Sequence, residues 1–308
     1  MPLNECVLAL DLGGTSIKAG VADLTGRFVL RMRRDTGRAH GVSAVVENLL
    51  VVAGELADEA SRLGHDPVAA AVVVPGVVDE ERGVAVDASN IGWRDVPLRE
   101  LLRERLGLPV HVGHDVRAGA LAEARRGAAR GRRCFAFVPI GTGIGGAWVI
   151  DGRPYSGAHY AAAEVGHIVV RPDGEPCVCG RVGCLETLAS ASAIARRYSE
   201  RSGRTVAGAD EVAALVPSAD PVAVRVWDDA LDALSDALLT VSTLLDPEVI
   251  VLGGGLSHAG TLLLAPLRER LSHRSSSLPP PPLVHASLGD EAGCMGAALH
   301  AIDLVRPS

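Results

Sequence analysis

The chain has 308 residues, 48% of them hydrophobic, which is enough to build two packed lobes, because single cores stop growing near ~250–300 residues. A net charge of −7 and an aromatic content of 3% exclude nucleic-acid binding by bulk charge or by base-stacking surfaces. No apolar run approaches the ~18 residues of a membrane span, and Met1–Glu5 lacks the charged start of a signal peptide, so a cytoplasmic protein is expected.

Val7–Leu12 and Ile17–Ala22 are apolar runs separated by Gly13-Gly14, which predicts strand, tight turn, strand. A helix is expected over Ser43–Leu63 with Ser43 as its cap, then a buried strand over Val68–Val74 that Pro75-Gly76 stops. Pro97–Leu106 predicts a helix, Val110–Val112 a short strand and Val116–Arg130 an Ala-rich helix. The basic residues at the end of that helix (Arg125, Arg126, Arg130, Arg132, Arg133) are expected in solvent, where they suit the helix dipole. The opening theme then recurs: strand Cys134–Ile140, turn Gly141–Gly146, strand Ala147–Ile150, which suggests a duplicated lobe. Helices over Leu188–Arg201 and Pro221–Leu245, a strand Val249–Leu252 running into Gly253-Gly254-Gly255, a loop Ser275–Pro282, a strand Leu283–Ala286 and a helix Ala292–Leu304 complete an α/β order.

Asp11-Leu12-Gly13-Gly14-Thr15-Ser16-Ile17-Lys18 places a carboxylate at a strand end beside glycines that can expose backbone N–H groups, the parts of a phosphate and Mg²⁺ cradle. It lacks the Gly-Lys-Ser/Thr ending of a Walker loop, and a plain hairpin would account for the glycines alone. Gly141–Gly146 formally fits G-x-G-x-x-G, but a β-branched strand follows where a dinucleotide-binding turn would open a helix. The two loops make better sense as a pair gripping a triphosphate.

His167, Cys177, Cys179 and Cys184 supply one imidazole and three thiols within 18 residues, the count of a closed tetrahedral zinc site. Four protein ligands leave no position open for water, so this zinc is expected to be structural. A reduced loop with three neighbouring thiols is the bland alternative, and a zinc knuckle for nucleic acid has only Arg171 and Arg181 as local cations.

Asp11–Lys18, Gly141–Gly146 and the run from Glu164 through His167, Cys177-Val178-Cys179-Gly180 and Gly183-Cys184-Leu185-Glu186-Thr187-Leu188-Ala189-Ser190 together resemble the ROK family of bacterial sugar kinases and regulators. The resemblance implies two ribonuclease-H-like lobes of the sugar kinase/actin type, with an interlobe cleft and a structural zinc loop. Residues 1–116 with 292–308 are expected in a smaller N-terminal lobe, and 117–291 in a larger lobe carrying the zinc loop. It also implies an ATP-dependent hexose kinase, glucose leading, with Mg²⁺ and structural Zn²⁺. The partners it implies are a small sugar and ATP, with no nucleic acid and no membrane, in a homodimer or homotetramer.

By the same resemblance Asp115 is the general base for the sugar's primary hydroxyl. Pro75, Gly76, Asn90, His114, Glu164, His167 and Glu186 are sugar-site residues, His167 serving zinc with its other ring nitrogen. Asp11, Gly13, Gly14, Thr15 and Lys18 face the β- and γ-phosphates, Gly141, Thr142 and Gly143 their other side, and Gly253, Gly254 and Gly255 the nucleoside. The chain departs from the family where His114 replaces an Asn, and where Tyr160 and Ala163 replace glycines, which predicts reduced or shifted hexose selectivity. Other readings are a kinase for N-acetylmannosamine, N-acetylglucosamine, fructose or allose, a non-catalytic sugar-sensing regulator, and a zinc-containing DNA-binding regulator. With the first strand beginning by Val7, no DNA-reading helix is expected ahead of the domain.

Overall fold

The computed structural model describes residues 4–88, 91–275 and 279–306, and the chain divides into two compact units. The first holds Met1–Ala122, Ser156–Ala162 and Asp290–Ser308; the second holds Glu123–Tyr155 and Ala163–Gly289. Among the described residues, no helix is long and apolar enough to cross a membrane.

The first unit opens with strands β1 (Asn4–Leu12), β2 (Ser16–Asp23) and β3 (Phe28–Asp35), helix α1 (Val42–Arg62) and strand β4 (His65–Val74). A small sheet of β5 (Val77–Asp79), β6 (Val84–Ala88) and β7 (Trp93–Val96) follows, then α2 (Leu98–Leu106), β8 (Val110–His114) and α3 (Asp115–Arg126). The main sheet has the order β3-β2-β1-β4-β8, in which β1 runs antiparallel to β2 and parallel to β4. The period of two along β1 divides its side chains. Leu8, Leu10 and Leu12 pack with Val45, Leu49 and Leu56 of α1, whereas Val7 and Ala9 join an alanine-rich layer with Ala69, Ala71 and Ala118. With so few aromatics, close approach of backbones replaces bulk in that layer.

The second unit repeats the plan. Strands β9 (Phe135–Pro139), β10 (Ala147–Ile150) and β11 (Arg153–Tyr155) precede α4 (Leu185–Ala189), α5 (Ala191–Ser202), α6 (Ala209–Leu215) and α7 (Pro221–Leu245). Strand β12 (Val249–Gly253), α8 (Thr261–Arg274) and β13 (Leu283–His285) complete it, and the sheet order is β11-β10-β9-β12-β13. Each five-stranded sheet is thus an antiparallel meander of three strands extended by two parallel ones, the duplication the twin glycine hairpins suggest. Its core is built on α7, whose Trp227, Leu231, Leu234 and Leu238 pack with Val138, Ile250 and Leu252. Helix α9 (Ala292–Val305) belongs to the first unit, where Ala297, Ala298 and Ala301 cover the alanine-rich face. A Cβ on Gly296 would stand 2.1 Å from the Ala118 carbonyl, so only glycine allows α9 its approach to α3.

Four local expectations differ from the structure. Helix α1 begins after Gly41 with no side-chain cap, so Ser43 lies inside its first turn instead of capping it. The single helix expected over Leu188–Arg201 is two, because Ser190 is extended and its side chain accepts from the Ala193 N–H, capping α5. Helix α3 starts at Asp115 and stops at Arg126, where Glu123 takes the Ala128 N–H at 2.7 Å. Strand β3 has no counterpart among the expected elements: its outward positions carry Arg31, Arg33 and Asp35, as an edge strand tolerates.

Candidate active site

In the first unit, β1, β4 and β8 are parallel and end at Leu12, Val74 and His114. Open α/β sheets present ligand groups beyond these carboxyl ends. The sequence places Asp11, Pro75-Gly76 and His114-Asp115 there. Gly76 has φ +94°, and a Cβ on it would lie 2.2 Å from the Asp87 carbonyl, so glycine is required where β4 turns into the small sheet. Asn90, the expected sugar ligand, lies outside the described residues.

Asp11 shares the face of Val7 and Ala9, and its carboxylate meets the first turn of α9, where a Cβ on Gly293 would stand 2.6 Å from Oδ2. It is 9% exposed, pairs with Lys18 across the β1–β2 ladder, and is 3.9 Å from the Lys18 ammonium. Lys18 Nζ also donates to the Asp290 carbonyl at 2.7 Å and to its carboxylate at 2.5 Å. Burial first, and the negative charge of Asp115 second, push the Asp11 carboxyl from 3.8 up to about 7; Lys18 only partly offsets them. A buried carboxylate that feels the charge of a second one has the donor chemistry a hard divalent cation satisfies, so the residues fit Mg²⁺. In the hairpin that follows, Gly13 N–H donates to Ser16 O at 2.9 Å, and a Cβ on Gly14 would meet only open space.

Asp115 is the first residue of α3. Its Oδ1 accepts the Val116 N–H at 2.7 Å and lies 3.6 Å from His114 Nε2. His114 is 8% exposed, and its Nδ1 accepts the Arg117 N–H at 3.3 Å. The buried Arg117 guanidinium donates to Glu80 Oε1 at 2.9 Å and to the Tyr160 carbonyl at 3.1 Å, while its Nη2 has no partner among the described residues. Tyr160 and Ala163, the two departures from glycine, have φ +58° and +68°. They adopt the conformation glycine would take freely, which costs an L-residue roughly 1–2 kcal/mol.

In the second unit, the Gly141–Gly146 loop is closed by Gly141 N–H to Gly143 O at 2.8 Å and Gly145 N–H to Pro139 O at 3.1 Å. Thr142 at its tip is exposed. Glu186 Oε2 accepts the Ile144 N–H at 2.9 Å, and a Cβ on Gly143 would lie 2.5 Å from that same oxygen. After β12, Gly254 has φ +74° and lies so close to Ile140 that a Cβ would be 2.4 Å from its carbonyl. Beyond Gly255 opens a cavity of about 550 Å³ lined by Ala191, Ala209, Asp210, Leu256, His258 and Leu262 among others, a volume that suits a nucleoside. Of the triglycine, Gly255 lines the cavity; Ala191, Asp210 and His258 carry no signal of their own in the sequence, because three separate segments supply them.

The four residues expected to hold zinc converge. His167, Cys177, Cys179 and Cys184 present ligand atoms all within 4.8 Å of one another. Cys177 Sγ is 3.5 Å from His167 Nδ1 and Cys179 Sγ is 3.6 Å from Cys184 Sγ, against tetrahedron edges of about 3.5–3.8 Å for zinc bonded to thiolate and imidazole. Gly183, at φ +74°, makes the chelate turn: a Cβ there would fall 1.5 Å from the Arg171 carbonyl. Burial, reinforced by the neighbouring thiols, pushes the Cys184 thiol up to about 12, so a cation is needed to hold it as thiolate. The residues therefore fit Zn²⁺. His167 turns Nδ1 toward the thiols, and Glu164, which precedes the 3-10 turn Val165–His167, is exposed.

The ROK family profile matches residues 7–303. A glucokinase of Streptomyces coelicolor is 33% identical, covering 97% of this chain and 97% of that protein. Two crystal structures superpose closely. A ROK hexokinase from Thermus thermophilus has a TM-score of 0.82 at 36% identity, covering 98% of this chain and 100% of its own. A ROK family glucokinase from Streptomyces griseus, in complex with glucose and AMPPNP, has a TM-score of 0.82 at 32% identity, covering 96% and 99%. With the twin sheets, the glycine hairpins and the His-Cys-Cys-Cys cluster, these likenesses establish that the chain belongs to the ROK family.

Proposed function

We propose that this chain transfers the γ-phosphoryl group of ATP to the primary hydroxyl of glucose, giving glucose 6-phosphate, with Asp115 as general base. That it is a hexose kinase rests on the glucokinase relatives; glucose and the base are the finer reading. The observation that carries the base is the state of the Asp115 carboxylate. Oδ1 is occupied by the Val116 N–H, and Oδ2 is the oxygen left to receive a proton, at the strand end where Asp11 also stands.

Phosphoryl transfer asks a protein for positioning and charge stabilisation above all. Asp11 would hold Mg²⁺, which when bound offsets the charge of the phosphate oxygens. Lys18 keeps its ammonium beside Asp11, and the Gly13–Thr15 and Gly141–Gly143 hairpins offer backbone N–H groups to anionic oxygens. We assign the adenosine to the cavity beyond Gly253–Gly255.

Glu164, His167 and Glu186 are assigned to hexose hydroxyls, as are Asn90, Pro75 and Gly76. His167 would bind Zn²⁺ through Nδ1, which fixes the proton on Nε2 and makes that N–H a donor of defined direction. Glu186 is half committed: Oε2 serves Ile144, so Oε1 is the oxygen for a hydroxyl. The test is a coupled ADP-release assay over glucose, mannose, fructose, allose and the N-acetylhexosamines, with the product's phosphate position read by NMR. Glucose with the highest kcat/KM and a 6-phosphate product is the expected result. Preference for an N-acetylhexosamine would overturn the substrate, and ATP consumption indifferent to every sugar would favour a sensor.

A further inference from the structure

Strand β8 passes into helix α3 with no residue between them: His114 ends the strand and Asp115 opens the helix. The direction of the Asp115 carboxylate therefore depends on what holds its neighbours. Glu80, the residue after β5, holds them on both sides. Its Oε1 accepts the His114 main-chain N–H at 3.3 Å and the Arg117 Nε–H at 2.9 Å, from one residue before Asp115 and two after it. Tyr160 adds a further fixed point, because its carbonyl accepts from Arg117 Nη1 at 3.1 Å. All of these residues lie in the first unit. Glu80 is anchored in turn. Arg99 of α2 donates to the Glu80 carbonyl at 2.5 Å and to the Glu81 carbonyl at 2.6 Å, which ties the main chain of the turn after β5 to a second helix.

Stability does not account for this arginine. Arg117 is 3% exposed, and a guanidinium so far out of water recovers from its ion pair little more than the cost of its desolvation. Its Nη2 has no partner among the described residues, which costs stability further. What the guanidinium does supply is direction. It is a planar fork whose N–H groups leave at fixed angles, here spent on a carboxylate and a carbonyl from two separate segments.

We propose that Arg117 and Glu80 are a positioning pair for Asp115: Glu80 Oε1 draws together the main chain before the base and the side chain after it, which sets the angle at which α3 leaves β8 and so the place of the carboxylate. The proposal rests on the assignment of Asp115 as base. Neither member of the pair is asked to touch substrate, and both act through the backbone of the turn. Phosphoryl transfer depends on placement, and a shift of about 1 Å in a reacting group costs ~10² in rate.

A double-mutant cycle separates positioning from plain packing. The experiment is steady-state kinetics with glucose and MgATP on the parent, Arg117→Met, Asp115→Asn and the protein carrying both substitutions, with folding of each checked by thermal melting. Methionine keeps an unbranched apolar stem and removes the fork. Arg117→Met is expected to lower kcat by about 10–10²-fold, with the KM of glucose and of MgATP within a few-fold of the parent. In the Asp115→Asn background the same substitution should lower kcat by no more than about two-fold, because no base is left to misplace.

The parent's kcat in Arg117→Met overturns the proposal, as do losses that multiply in the double variant. So does a raised glucose KM with unchanged kcat, which would make Arg117 a sugar ligand. Should Arg117→Met fail to fold, Glu80→Gln carries the same cycle by the same criterion: its amide oxygen can still serve the His114 N–H but meets the guanidinium without a charge, for an expected loss of about 3–10-fold. The parent's kcat in Asp115→Asn removes the base assignment and this proposal with it. A depressed Asp115→Asn beside an unaffected Arg117→Met removes the pair alone.

Discussion

Glu186 Oε2 accepts the Ile144 N–H at 2.9 Å, so the helix that begins beside Cys184 of the Cys/His cluster also holds the second glycine loop in shape. One carboxylate thereby joins the turn of the Cys/His cluster to the Gly141–Gly146 loop by a charge-assisted bond. Replacing Glu186 by Ala should cost about 1–3 kcal/mol of stability and raise the ATP KM together with the glucose KM. Separate ATP and glucose titrations of initial rate check this; an effect confined to glucose would show that the loop holds itself.

Zinc removal should act through the same joint. Without a cation, Cys184 reverts to a thiol and the turns around Gly180 and Gly183 lose their cross-link. Treatment with a chelator is expected to release about one zinc per chain, increase hydrogen exchange across 164–186, and abolish glucose binding, with added zinc restoring all three. Full glucose binding by metal-free protein would separate the chelate from the sugar site.

Asp11 supplies a pH signature. Burial pushes its carboxyl up to about 7 in the folded chain from an ordinary value of 3.8, so between these values the folded state holds a proton that the unfolded state has lost. The stabilisation from that proton is complete below about pH 4 and disappears as the pH rises toward 7. Metal-free Asp11→Asn, which cannot ionise, should therefore melt above the parent near about pH 8, and the difference should shrink near about pH 5. Mg²⁺ should stabilise the parent more at the higher pH. A melting difference that ignores pH would contradict the raised value.

Ala163, at φ +68°, is strained where glycine would be at ease. Ala163→Gly is expected to stabilise the protein by about 1 kcal/mol, read from urea unfolding, because relief of the left-handed strain exceeds the added freedom of the unfolded chain. Equal or lower stability would mean that the alanine methyl group contributes packing that offsets its backbone.

The parts of the site that were legible in the sequence are local ones. Gly13-Gly14 and Gly141–Gly146 announce hairpins because they interrupt apolar runs, and the expected zinc ligands lie within one short segment whose spacing is itself the signal. The glycine run that ends β12 leads to the nucleoside-sized cavity, which Gly255 lines. What could not be read depends on distant pairing. Arg117 meets Glu80 and Tyr160 across 37 and 43 residues, and neither residue carries a pattern that names its partner. The environment of His114 was hidden too, since a histidine at a strand end reads equally as ligand or as buried donor until its neighbours are known.

Steady-state kinetics of Asp115→Asn with glucose and MgATP tests the central claim most directly. The amide keeps the shape and the Val116 contact but cannot take a proton, so kcat should fall by ~10²–10⁴ with the glucose KM within a few-fold of the parent. A folded Asp115→Asn protein that still phosphorylates glucose at the parent's kcat would contradict it.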